Sequence, residues 1–277
     1  MRKIFKDAVM QQRLETDGYV VLDFLSAEEL DFLRLHAAWR PDDISSLPFS
    51  SSLMSNDTDY KIKASDAILN AFKRSTEDYF YKSTLFFGTF MTKLGAAPSS
   101  QRDWHQDPSL VDESQFSGLT IWCPLVDTTE ENGALEVLAG SHRLNLHPRP
   151  LGVRFPYQHL LPAIEEQKTI LPMKSGQAFI GYDSLFHYSP PNQTNQTRVA
   201  ALAIVSNEAS MLSYGFEQRQ GTDPVLTIFE VEPAQFRTKM QFRMYEGDGY
   251  SLKGTIPYTH AVLNEADILL NRYEINV

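Results

Sequence analysis

The hydrophobic rhythm of the chain changes near residue 84. Before that point apolar positions recur at helical spacing. After it they fall in short runs broken by Gly, Pro and Asn. One strand precedes the helices, because residues 18–24 contain Tyr19-Val20-Val21-Leu22, a β-branched and aromatic run. Ser26 is followed three positions on by Glu29, a capping box that predicts a helix over 27–38. Residues 41–59 are rich in Ser, Asp, Asn and Pro and read as one long loop, a length that suits a lid. Ile68, Leu69, Phe72, Tyr79 and Phe80 give a second helix, over 65–81, its apolar face.

Downstream, strands are predicted over 85–94, 119–126, 134–138, 168–173, 177–182, 198–206 and 225–231. Helices first and short strands afterwards predict a mainly β fold with flanking helices. The architecture expected is a double-stranded β-helix, a cupin-like jelly roll with an N-terminal helical buttress. The whole chain, 1–277, reads as a single domain with its core at about 84–206. Residues 41–59 and 207–277 are the lid candidates, the second with Phe216, Phe229, Phe236, Tyr245, Tyr250 and Tyr258. A jelly roll binds ligands in the mouth between its sheets.

Charge and composition narrow the function. A formal net charge of −10 and a pI of about 5.2 give no broad basic face, so nucleic acid is not an expected partner. A small anion needs only a local cation and stays open. The one cysteine, Cys123, lies in an apolar run and reads as a buried structural residue, and no disulfide within the chain is possible. The first ten residues lack an apolar core, and no run approaches 18 apolar residues. The expectation is a soluble, cytoplasmic protein that neither enters nor crosses a membrane, so the sequons at Asn192 and Asn195 carry no meaning. Nothing in the pattern specifies an oligomeric state.

The candidate chemistry begins at His105-Gln106-Asp107. In a strand, residues two apart share a face, so His105 and Asp107 can reach one metal from a strand or its end while Gln106 points away. A third ligand must come from elsewhere. His36, His142, His147, His159 and His260 each read better as structural or surface residues. His187 stands apart because Ser189 and Arg198 follow it. A guanidinium grips a carboxylate with two hydrogen bonds and a hydroxyl can add a third. Arg198 opens the apolar run Val199-Ala200-Ala201-Leu202-Ala203-Ile204, so it should be buried and therefore paired. Two imidazoles and one carboxylate form the facial triad of non-haem Fe(II) sites. With a buried cation for a dicarboxylate, the set suggests an oxygenase that consumes 2-oxoglutarate.

The chain resembles the phytanoyl-CoA dioxygenase family of Fe(II)/2-oxoglutarate oxygenases. The matching elements are Asp17-Gly18-Tyr19-Val20-Val21, Trp104-His105-Gln106-Asp107, Trp122-Cys123-Pro124-Leu125, the run from Asn132 to His142, and His187 through Arg198. The likeness covers roughly 16–206 and is strongest over 102–206. It implies iron on His105, Asp107 and His187, and the distal carboxylate of 2-oxoglutarate on Arg198 and Ser189. It further implies Trp122 as a wall of the cosubstrate pocket and Lys93 as a polar contact from the preceding strand. Related iron halogenases carry Gly or Ala where Asp107 stands, so oxidation rather than halogenation is implied. Compact members of this kind act on amino acids or secondary metabolites more often than on CoA thioesters. The expected reaction is hydroxylation of an unactivated C–H bond of a small molecule with O2. Desaturation, cyclisation or epimerisation with the same cofactors is the first alternative, and a non-catalytic metal-binding jelly-roll module is the second. Arg102, Arg143, Arg149 and Arg154 lie near these motifs and are candidates to meet an anionic substrate, although surface solvation is the expected use of most.

Overall fold

The computed structural model describes residues 2–152, 154–220, 223–239 and 250–271. The N-terminal part runs α1 (Ala8–Asp17), β1 (Tyr19–Asp23), α2 (Ala27–Ala37), α3 (Asp42–Ser45), β2 (Phe49–Ser51) and α4 (Thr58–Tyr79). The body follows as β3 (Ser83–Lys93), β4 (Arg102–His105), β5 (Leu119–Pro124), β6 (Leu135–Val137), α5 (Leu161–Gln167), β7 (Thr169–Leu171), β8 (Gln177–Tyr182), β9 (His187–Ser189) and β10 (Arg198–Asn207). The chain closes with β11 (Ser213–Gln220), β12 (Asp223–Val231), α6 (Pro233–Lys239), β13 (Tyr250–Pro257) and α7 (Glu265–Leu270).

The capping box forms as the sequence predicts. The Ser26 hydroxyl accepts from the Glu29 N–H at 3.2 Å, and the Glu29 carboxylate accepts from the Ser26 N–H at 2.8 Å. Two expectations are corrected. Helix α4 begins at Thr58 rather than 65, capped by Asp57, because its first turns carry Asp59, Lys61 and Lys63 and hide the apolar period. Residues 41–59 are not one loop. They contain α3 and β2, and β2 hydrogen-bonds to the edge of β3 with Phe49 opposite Lys93.

A six-stranded sheet, β1-β8-β5-β10-β3-β2, faces a four-stranded sheet, β4-β9-β6-β7, and the pairings are antiparallel. This is the jelly roll. Alternation along the strands of the larger sheet sets its two faces. On the outer face Leu119, Ile121, Cys123, Ala201, Ala203 and Val205 pack under the helices against Ile68 and Phe72. Gly88 permits that approach, since a Cβ there would lie 2.7 Å from Ile68, and its N–H donates to the Ser65 hydroxyl at 3.0 Å. On the inner face Trp122, Phe179 and Ala200 meet Leu135 and Val137 of the smaller sheet.

The C-terminal residues form a three-stranded sheet, β11-β12-β13, where the pattern predicted one strand. Phe216, Phe229, Phe236 and Tyr250 pack with Phe86, Phe87 and Leu110 in a second core. Tyr245 lies outside the described residues. Among the described residues no helix is long and apolar enough to cross a membrane.

Candidate active site

Strands β4 and β9 pair with His105 opposite His187. Their alternate residues Trp104, Phe186 and Tyr188 turn outward into an aromatic cluster with Tyr157 and Ile164. The Trp104 indole N–H donates to Glu165 at 2.6 Å, which fixes the strand. The two imidazoles are thereby driven inward, with ring centroids 4.1 Å apart. Asp107 Oδ1 lies 3.8 Å from His105 Nε2 and 3.9 Å from His187 Nε2. One ligand atom from each of the three residues lies within 4.8 Å of the others, and no other such metal-capable group occurs among the described residues.

The tautomers suit a metal. His105 Nδ1 meets the Asp103 carbonyl at 2.6 Å and His187 Nδ1 meets the Leu185 carbonyl at 3.0 Å. A carbonyl only accepts, so each Nδ1 carries the proton and each Nε2 offers its lone pair to the shared centre. Burial, with His187 alongside, pushes His105 down to about 3, which keeps its ring neutral. Burial disfavours the charged form of Asp107, yet the imidazoles, the Thr120 hydroxyl and the Arg102 charge together hold the carboxyl below its ordinary value.

Asp107 is also oriented from behind. The Thr120 hydroxyl sits 3.0 Å from Asp107 Oδ2 and 3.0 Å from Asp183 Oδ1. One hydroxyl has one proton and can donate to only one carboxylate. Burial, then repulsion from Asp107 and Glu113, raises Asp183 well above its ordinary value. The Thr120 hydroxyl is thus shared between the two carboxylates, and the raised proton affinity of Asp183 favours Asp107 as its acceptor. Arg149 adds a backbone anchor: its Nε donates to the Asp107 carbonyl at 2.8 Å and its Nη2 to Glu113 at 2.6 Å.

Deeper between the sheets, Lys93 and Arg198 stand opposite each other on β3 and β10, and both are buried. Lys93 Nζ donates to the Ser189 carbonyl at 2.8 Å, the Ser189 hydroxyl at 2.7 Å and the Pro190 carbonyl. Arg198 Nη1 donates to the Gly133 carbonyl and lies 3.5 Å from the Ser189 hydroxyl. The Arg198 Nε has no hydrogen-bond partner, and among the described residues no carboxylate pairs with either cation. Burial, with Arg198 and Arg102 adding repulsion, pushes Lys93 down to about 6, and burial lowers Arg198 to about 10. A second buried charge beside Arg198 without a counter-ion would be costly, which is why the Lys93 ammonium loses its proton so readily. A carboxylate is the group that would satisfy both. The Trp122 ring lies under the Arg198 guanidinium at 5.2 Å and helps to hold it flat.

A cavity of about 110 Å³ joins these parts. His105, Asp107, His187, Ser189, Trp122 and Arg198 all line it, so the structure brings the predicted site residues together around one space, with Lys93 against its deep end. Phe49, Arg102 and Thr120 also line it. Of the four candidate arginines only Arg102 reaches it. Arg143 donates to the Thr16 and Glu15 carbonyls, and Arg149 is consumed by Glu113 and the Asp107 backbone. Arg154 lies in a neighbouring crevice with His105, Tyr258 and His260. His142 is buried against the Tyr182 ring at 4.9 Å, away from the cluster.

No curated protein matches the sequence significantly. Solved structures share the fold at low identity. A non-heme alpha ketoglutarate dependent carbocyclase, SnoK from nogalamycin biosynthesis, is 16% identical with a TM-score of 0.55, covering 74% of this chain and 86% of its own. An epimerase from the same biosynthesis, SnoN, is 18% identical with a TM-score of 0.50, covering 74% and 84%. EctD from S. alaskensis, solved with 2-oxoglutarate and 5-hydroxyectoine, is 20% identical with a TM-score of 0.51, covering 74% and 78%. The family described as phytanoyl-CoA dioxygenase (PhyH) matches residues 14–200, a span that holds the His105–Asp107–His187 cluster and the Lys93–Arg198 pair. The chain belongs to the phytanoyl-CoA dioxygenase family.

Proposed function

We propose that the chain is an Fe(II)/2-oxoglutarate-dependent dioxygenase that hydroxylates an unactivated C–H bond of a small molecule. The observation that carries this reading is the pair of buried cations, Lys93 and Arg198, without a carboxylate partner, at the deep end of the cavity that holds the triad. A dicarboxylate with one end toward the metal and the other between these cations completes both. His105, Asp107 and His187 would hold the iron through two Nε2 atoms and a carboxylate oxygen. Arg198 and Ser189 would bind the distal carboxylate of 2-oxoglutarate, with Lys93 beside them and Trp122 as the wall. Bound together, iron, 2-oxoglutarate and O2 supply the oxidation of a C–H bond, coupled to decarboxylation of the cosubstrate to succinate and CO2.

The protein contributes orientation and dryness. Thr120 and Asp183 fix one oxygen of Asp107 so that the other faces the metal position. Trp122, Leu135 and Phe179 line the cavity with apolar surface that keeps water from the reacting carbon. No separate acid or base is needed to remove a hydrogen atom, and none is assigned. An amino acid or secondary metabolite is the favoured substrate. The intact cradle argues against a binding module, which has no need of a dicarboxylate clamp.

The test is turnover of 2-oxoglutarate, followed as succinate formation that requires both Fe(II) and O2. Asp107→Ala removes one of three ligands and is expected to abolish it, while the fold persists by circular dichroism. Full succinate formation by Asp107→Ala would place the metal elsewhere.

A further inference from the structure

Arg102 is the one charged residue lining the iron-side cavity that the proposed cofactors leave unused. It lies on the rim, exposed to solvent. It reaches the cavity through an irregularity in the sheet. Arg102 pairs with Ser189 and His105 with His187, so β4 takes three steps where β9 takes two. That extra residue is a bulge, and it turns Arg102 to the same face as His105 although their odd separation would otherwise oppose them. The guanidinium lies over the Phe49 ring at 5.2 Å. Stacking covers its plane and leaves the edge N–H groups free. Among the described residues no carboxylate comes within ion-pair distance of it. Neighbouring Asp103 instead accepts from Gln101 at 3.0 Å.

The local charge is then unbalanced. Fe(II) and doubly ionised 2-oxoglutarate cancel. Arg102 and Arg198 remain against Asp107, with Lys93 beside Arg198. The two deep cations share the distal carboxylate of the cosubstrate. Arg102 alone faces the open side, where a substrate must enter.

We propose that Arg102 is the specificity-determining residue of the site and that the substrate is a small carboxylate held by it. This rests on the iron and 2-oxoglutarate reading above. A carboxylate seated on the two edge N–H groups of Arg102 gains charge-assisted, bidentate geometry. Its hydrocarbon end then points inward, past Phe49, to the triad.

The experiment uses the protein loaded anaerobically with Fe(II) and 2-oxoglutarate. The probes are aliphatic and aryl monocarboxylic acids, each paired with its primary carboxamide, and the readout is the shift of the visible metal-to-ligand band as each is added. The wild-type protein should answer the acids at concentrations more than about tenfold below their amides, the scale of a hydrogen bond to a charged group. Arg102→Gln should erase that preference, and Arg102→Lys, which keeps the charge, should restore part of it. A wild-type protein that treats acids and amides alike, including by answering neither, overturns the proposal. So does a preference that survives Arg102→Gln. If Arg102→Gln raises the 2-oxoglutarate concentration needed to form the band and leaves the acid preference intact, Arg102 belongs to the cosubstrate site instead. Failure of the wild-type protein to form the band at all defeats the iron and 2-oxoglutarate reading itself, a separate result.

Discussion

The two faces of the six-stranded sheet are built from the same strands and do opposite work. On β5, Ile121 points outward into a dry apolar layer, and its neighbour Trp122 points inward over a guanidinium. On β10, Ala201 and Ala203 pack beneath helices, and Arg198 lies buried without a counter-ion. The outer face has every reason to be where it is without any ligand. The inner face is costly as it stands, because it buries the Arg198 guanidinium and the Lys93 amine side by side with no carboxylate between them. Strand alternation lets one sheet keep stability on one side and concentrate strain on the other, where a ligand relieves it.

The comparison can be broken from either side. Phe72 is fully buried on the helical side, so Phe72→Ala should cost about 3–5 kcal/mol of stability by denaturant unfolding, with 2-oxoglutarate affinity per folded molecule retained. A loss of cosubstrate affinity equal to the loss of stability would show that the faces are not separable. From the inner face, Arg198→Ala should weaken 2-oxoglutarate by roughly 2–5 kcal/mol, as for one partner of a buried charge pair. Isothermal titration calorimetry measures this directly, and unchanged affinity would move the carboxylate elsewhere.

The mildest effect is a pH dependence. Lys93 is pushed down to about 6 in the free protein by burial and its neighbouring cations, yet its Nζ has three oxygen acceptors, as an ammonium requires. A dicarboxylate should raise its affinity for a proton. Binding of 2-oxoglutarate above pH 6 should therefore take up a proton, and affinity should fall as pH rises, by at most about tenfold per unit. Folding has the opposite sign. The unfolded chain holds the Lys93 proton up to the ordinary lysine value, so the free protein gains stability as pH rises from about 6 toward that value. Calorimetry in buffers of different ionisation enthalpy counts the proton, and Lys93→Met should remove it.

The residues that were legible in the sequence are those whose chemistry is rare in their surroundings. His105 and Asp107 stood out through strand alternation, and His187 through the Ser189 and Arg198 that follow it. Arg198 at the head of an apolar run announced its own burial. Helix α2 was legible because a cap is a local device, and Ser26 and Glu29 need nothing distant. What escaped depends on distant partners or on irregular geometry. Thr120 and Asp183 are ordinary residues until the fold sets both beside Asp107. Arg102 was only one of four arginines named near the motifs, because a strict period of two turns it away from the metal and gives no sign of the bulge. Phe49 sat in a polar stretch that becomes an edge strand only when β3 offers its edge. Helix α1 buries only Leu14, so it left almost no periodic signal. Of the C-terminal sheet only β12 was legible; β13 is exposed along most of its length and lacks an apolar run.

The central claim is that a dicarboxylate closes the gap between the triad and the two buried cations. Its most direct test is an anaerobic titration of the metal-free protein with Fe(II) and then with either 2-oxoglutarate or pyruvate, which lacks the distal carboxylate. The visible metal-to-ligand band should appear with 2-oxoglutarate and saturate at one equivalent. Pyruvate should need about a hundredfold more, the scale set by loss of a buried charge partner. No band with 2-oxoglutarate, or pyruvate binding as tightly, would contradict the account.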